Sequence, residues 1–128
     1  MSSTFDSILI VDDSAVQRSF VADFCREFGC ATIHEANDGQ SALDLIAALA
    51  TPPDLVIVDL EMPGMDGVEL MQQMYDRDFH IPLIVASGRG AEMIASVAKM
   101  IEALGLPLIG SLQKPLRKDT LFALLRSA

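Results

Sequence analysis

Five short apolar runs alternate with five stretches of helical periodicity along this chain, and that alternation limits the fold more than any other feature. The runs fall at 5–11, 30–34, 55–59, 81–87 and 106–112. Leu55, Val56, Ile57 and Val58 form the plainest of them, an unbroken apolar series closed by Asp59. A run of this kind suits a strand buried on both faces, as in a parallel sheet covered by helices. Between the runs, apolar residues recur at helical spacing. Val16, Phe20, Val21, Phe24, Cys25 and Phe28 mark the first helix, with Ser14 as its cap and Gly29 as its end. Ala42, Leu43, Ile46, Ala47 and Leu49 mark the second, after the turn residues Asn37, Asp38 and Gly39 and before Pro52 and Pro53. Val68, Leu70, Met71 and Met74 mark the third. Ile94, Val97, Ala98, Ile101 and Leu104 mark the fourth, closed by Gly105, and Leu121, Leu124 and Leu125 mark the last. Strict alternation predicts an α/β fold with a five-stranded parallel sheet and helices on both faces. Right-handed crossovers leave few topologies, and strand order 2-1-3-4-5 makes the first and third strands neighbours at the switch point.

Ligands of open parallel sheets lie outside the carboxyl ends of the strands. Asp12 and Asp13 follow the first strand, Asp59 ends the third, Ser87 ends the fourth and Lys114 follows the fifth. Each alone is ordinary: an Asp pair caps helices, and Lys-Pro after a strand is a common loop. Together they converge on one point. Three carboxylates so close cannot all be charged without a counter-ion, which a hard dication such as Mg2+ supplies while sharing its remaining positions with phosphate oxygens. A lysine and a serine hydroxyl can serve further phosphate oxygens. The set suits phosphoryl chemistry with an aspartate nucleophile.

At 128 residues, with 51% hydrophobic residues, the chain predicts one domain spanning 1–128 with a core of its own. Its net charge of −9 disfavours direct nucleic-acid binding, which needs Lys and Arg against phosphates. Cys25 and Cys30 lack zinc spacing and are expected as reduced, buried thiols. No apolar stretch approaches the ~18–20 residues of a membrane span, and the start MSSTFD lacks a signal-peptide pattern. A cytoplasmic location with no membrane contact is expected.

The segments ILIVDD at 8–13, PDLVIVDLEMPGMDG at 53–67, the strand ending in Ser87, and Lys114-Pro115 together resemble the receiver domain of two-component response regulators. The resemblance implies a flavodoxin-like (βα)5 fold and a switch that catalyses only its own phosphotransfer and dephosphorylation, rather than an enzyme. It implies Asp59 as phosphoacceptor, taking its phosphoryl group from a histidine kinase or phosphotransfer protein. It further implies Mg2+ as cofactor, held directly by Asp13 and Asp59, through water by Asp12, and by the backbone carbonyl of Glu61. Ser87 would follow the phosphoryl group and Lys114 would pair with it, next to a cis bond to Pro115. The face formed by the fourth helix, fifth strand and fifth helix would then control an output domain or partner, or pair with another receiver. Met93 and Met100 on the fourth helix would be either adaptable surface or core filling.

Two positions depart from the family pattern. Ser111 stands where many receivers carry Tyr or Phe, which leaves the Ser87 loop and fourth helix as the route of coupling. Gly88 replaces the common alanine and opens the site to water or a partner. Glu61 and Arg89 are expected at the pocket mouth, tuning the lifetime of the phosphorylated state. The segment LPLIGSLQKPL at 106–116, with Ala86-Ser87-Gly88, resembles receivers attached to EAL-type cyclic-di-GMP phosphodiesterases. Two rivals stay open: a degenerate receiver acting as a constitutive interaction module, and a haloacid-dehalogenase-like phosphatase. That phosphatase family sets two aspartates two residues apart, whereas Asp12 and Asp13 here are adjacent.

Overall fold

The computed structural model describes residues 5–62 and 66–127; the turn residues Pro63, Gly64 and Met65 lie outside them. Strands β1 (Ser7–Val11), β2 (Thr32–Ala36), β3 (Leu55–Asp59), β4 (Leu83–Ser87) and β5 (Leu108–Gln113) alternate with helices α1 (Ala15–Phe28), α2 (Gly39–Ala48), α3 (Gly67–Asp76), α4 (Ala91–Leu104) and α5 (Lys118–Ser127). The strands form one parallel sheet of order β2-β1-β3-β4-β5, as expected for a flavodoxin-like (βα)5 fold. Every residue of β3 and β4 is buried.

Alternate side chains of each strand feed two cores, because successive residues point to opposite faces. Leu9, Val11, Val56, Val58 and Val85 pack with α2, α3 and α4 through Leu43, Met71 and Ile101. Ile8, Ile10, Leu55, Ile57 and Ile84 pack with α1 and α5 through Val21, Cys25, Leu121 and Leu125. Each fully buried aliphatic side chain contributes about 1.5–3 kcal/mol. Cys25 and Cys30 are free and buried, as expected. Met93 and Met100 are partly buried against the first core, which favours filling over display.

The caps expected at Ser14, Gly29, Asp38 and Gly105 are all present, and Asp66 adds one at α3 that sequence reading did not single out. Four strands, β1, β2, β4 and β5, start two residues later than their apolar runs. Cys30 and Leu106 are bound to the preceding helix ends, with Cys30 N–H on the Cys25 carbonyl and Leu106 N–H on the Ile101 carbonyl. Such backbone closure after a left-handed Gly ends a helix and delays the strand. At β4 the delay follows Pro82, which has no N–H to give. Helix α2 stops at Ala48, ahead of the prolines. On α1, Val16 and Phe20 carry the helical period but are 65% and 56% exposed. Here periodicity locates the helix without giving its phase against the sheet.

Gly110 of β5 marks a tight approach to α5. An added Cβ would lie 2.6 Å from Leu124 Cδ2, the end of a side chain that can turn aside. Gly110→Ala is therefore expected to cost about 1 kcal/mol, the low end of overpacking, in urea unfolding.

Candidate functional site

Asp12 leaves β1 in ladder geometry, its N–H on the Ala36 carbonyl at 3.1 Å, and is 4% exposed. Its Oδ1 accepts the Ser14 N–H at 2.9 Å, which turns the chain into α1 and leaves Asp13 exposed. Asp59 is the last residue of β3 and 3% exposed. The parallel pairing of β1 with β3 brings these ends together, so that one oxygen each of Asp12, Asp13 and Asp59 lies within 4.8 Å of the others.

Lys114 enters from the end of β5. Its N–H donates to the Ser87 carbonyl at 2.9 Å, and its bond to Pro115 is cis, as expected. Its Nζ lies 2.9 Å from Asp59 Oδ2 and 3.4 Å from Asp12 Oδ2. The contact with Asp59 Oδ2 is a close ion pair, and among the described residues that buried oxygen has no polar partner besides the lysine. Asp59 Oδ1 accepts the Glu61 N–H at 3.1 Å. Burial pushes the Asp59 carboxyl above its usual range, and Asp12 adds to the shift, while Lys114 and the Glu61 N–H pull against it. Burial alone would lower the Lys114 ammonium, but Asp59 and Asp12 raise it overall. The site therefore holds more negative charge than one lysine offsets. Three hard carboxylate donors that share one lysine fit a Mg2+-type ion.

Ser87 is fully buried at the end of β4, its Oγ accepting the Arg89 N–H at 3.0 Å. Glu61 and Arg89 both flank the mouth, as expected. With Leu60, Met62, Asp66 and Met93 they line a hollow of about 350 Å3. Ser111 is exposed on β5 beside a second hollow, of about 540 Å3, that Lys114 also lines.

Sequence reading missed Arg18. From α1 its Nη1 donates to the Asp12 carbonyl at 2.7 Å and its Nε to Glu35 Oε1, on β2, at 3.1 Å. The guanidinium braces the backbone that carries Asp12. With the side chain only 17% exposed, Arg18→Ala is expected to lower stability by about 1 kcal/mol, measured by urea unfolding.

The family model of the response regulator receiver domain matches residues 8–126. A protein-glutamate methylesterase/protein-glutamine glutaminase of Geobacillus kaustophilus is 41% identical over 86 residues, covering 66% of this chain and 24% of that protein. The transcriptional regulatory protein FixJ of Bradyrhizobium diazoefficiens is 29% identical over 126 residues, covering 98% and 58%. The regulator of RpoS of Escherichia coli is 36% identical over 110 residues, covering 86% and 30%. The chain thus spans 24% to 58% of these relatives' own lengths. Among solved structures, chemotaxis protein CheY4 of Vibrio cholerae superposes with a TM-score of 0.78 at 25% identity, covering 96% of this chain and 98% of that one. The signal receiver domain of an HD domain-containing protein from Pseudomonas fluorescens gives 0.77 at 27% identity, covering 94% and 91%. Among the described residues no helix is long and apolar enough to cross a membrane. With the fold, the acidic cluster and the match over 8–126 in agreement, the chain belongs to the response regulator receiver domain family of two-component signalling.

Proposed function

We propose that residues 1–128 form one receiver domain whose phosphoacceptor is Asp59. The observation that carries this reading is the buried Asp59 Oδ2, which is paired with Lys114 Nζ at 2.9 Å and lies beside two further carboxylates. Asp59 Oδ2 attacks the phosphorus of a phosphohistidine on a histidine kinase or phosphotransfer protein. The new O–P bond forms as the N–P bond breaks, and the imidazole leaves. Lys114 offsets charge on the transferring oxygens. Asp13 and Asp59 would hold Mg2+ directly, Asp12 through water, and the Glu61 carbonyl would complete the protein ligands; the ion supplies charge neutralisation. Exposed Val16 and Phe20, on the helix that begins beside Asp13, offer an apolar flank for a protein donor.

The acyl phosphate favours a second arrangement of the Ser87 loop, since Ser87 Oγ can leave the Arg89 N–H for a phosphoryl oxygen. The α4-β5-α5 face then acts on an output domain or partner, or pairs with another receiver. We place an EAL-type cyclic-di-GMP phosphodiesterase as the first candidate output, on the 106–116 segment. Exposed Ser111 supports the rival reading of a constitutive interaction module. The test is uptake from acetyl phosphate with Mg2+, read by intact mass. A gain of one phosphoryl group that Asp59→Asn abolishes supports the switch. No gain, with Mg2+ binding intact, supports the constitutive module.

A further inference from the structure

Glu61 joins two loops of the site. Its backbone N–H donates to Asp59 Oδ1, and its side chain crosses to the β4–α4 loop, where Oε1 accepts the Gly88 N–H at 2.8 Å. Its other oxygen, Oε2, is buried without a hydrogen-bond partner. Gly88 directly follows buried Ser87, and a Cβ built on it would lie 3.6 Å from Glu61 Oε1 and 3.9 Å from Lys114 Cβ. Gly88 therefore sits beside the root of the Lys114 side chain, whose Nζ reaches Asp59. A peptide N–H that already holds a carboxylate is an anion-binding group, and a phosphoryl oxygen is the same kind of acceptor. A phosphoryl group on Asp59 and the Glu61 carboxylate would be like charges competing for one donor.

We infer that the Glu61 carboxylate is an internal stand-in for the phosphoryl group: it occupies the Gly88 N–H in the unphosphorylated protein and is displaced when Asp59 is modified. This rests on Asp59 as the phosphoacceptor. Two features make displacement easy. The buried, unpaired Oε2 costs free energy while the contact is made. The adjoining hollow of about 350 Å3 is lined by Arg89, a cation that can receive the released carboxylate. Gly88, having no side chain, leaves the amide open to either anion. Glu61 is thus a positioning residue that sets how readily the phosphorylated arrangement forms.

Beryllium fluoride with Mg2+, a phosphoryl mimic, tests this by titration calorimetry and by the Gly88 amide resonance. Removing a charged competitor is expected to tighten beryllium fluoride binding about tenfold in Glu61→Ala, with Glu61→Gln between it and wild type. Arg89→Ala weakens binding in the wild-type background and has no effect in Glu61→Ala, the signature of a coupled pair. The Gly88 resonance differs between the free wild type and free Glu61→Ala and coincides once both are loaded. A simple brace between loops predicts the opposite sign, because Glu61→Ala would then loosen the site and bind less tightly. Equal or weaker binding by Glu61→Ala overturns the stand-in, while Asp59-dependent binding by wild type keeps the phosphoacceptor reading. Binding that Asp59→Asn leaves unchanged, or no binding by any variant, overturns the phosphoacceptor reading and the stand-in with it.

Discussion

Asp59→Asn is expected to take up no phosphoryl group from acetyl phosphate and, free of metal, to unfold at a higher temperature than wild type. The first effect follows from the loss of the proposed nucleophile, and intact mass should show labelling reduced by at least about a hundredfold. The second follows from electrostatics. Burial raises the Asp59 carboxyl from its ordinary value of 3.8, with Asp12 adding to the shift. An acid whose folded value lies above its unfolded value binds its proton more tightly when folded. Its contribution is fully present below the unfolded value and is lost as pH rises through the window between the two. At neutral pH, replacing the carboxylate by a neutral amide of the same shape is expected to recover about 1–2 kcal/mol, or several degrees in Tm. Scans against pH separate this from a packing effect: the gain vanishes below about pH 3 and grows as Asp59 ionises. Saturating Mg2+ should shrink it, since the ion stabilises the wild-type carboxylates and not the amide. An Asp59→Asn protein less stable than wild type at every pH would show that the Lys114 contact outweighs the desolvation of Asp59.

The strand ends that hold Asp12, Asp59, Ser87 and Lys114 were legible because backbone topology alone places them. Once five buried runs alternate with five helices in a right-handed parallel sheet, their carboxyl ends must gather on one edge. Asp13 was legible for the same reason, being next in sequence to a strand end. What sequence did not give depends on side-chain direction. Arg18 reaches Asp12 and Glu35 only because β1 pairs with β2 and because α1 turns that face inward. The turn of Glu61 toward Gly88 joins two loops 27 residues apart. Val16 and Phe20 show the same limit from the other side: their spacing is helical, yet the face that α1 buries is set by Val21, Ala22 and Cys25. The starts of β2, β4 and β5 slipped by two residues because glycine or proline chemistry at the preceding turn outweighed apolar content.

Gly67→Ala is expected to damage both the fold and the switch, although alanine is the better helix former. Gly67 opens α3, and its N–H reaches back to the Leu60 carbonyl at 3.4 Å. A Cβ there would lie 2.6 Å from the Asp59 carbonyl oxygen and 2.8 Å from Leu60 Cα. Both are backbone atoms at the end of β3, so no side-chain rotation relieves the clash, in contrast to Gly110. In an unconstrained helix the exchange gains up to about 1 kcal/mol. Here a shift of α3 or of the β3 end is required, and rigid overpacking of this kind costs about 3 kcal/mol. The net expectation is a loss of about 2–3 kcal/mol in urea unfolding and a Tm lower by roughly 10 °C. The same displacement moves the Asp59 carboxylate relative to Lys114, now 2.9 Å away, in a site where phosphoryl transfer depends on position. Phosphorylation of the folded fraction should therefore fall about tenfold or more, beyond what the unfolded fraction explains. A Gly67→Ala protein with wild-type stability and wild-type labelling would mean that α3 can withdraw without carrying β3 with it. If stability falls while labelling of the folded fraction is retained, α3 has moved and Asp59 has not, and the close approach serves packing alone. Loss of both is the outcome the geometry favours, because the carbonyl nearest the clash belongs to Asp59, the proposed phosphoacceptor.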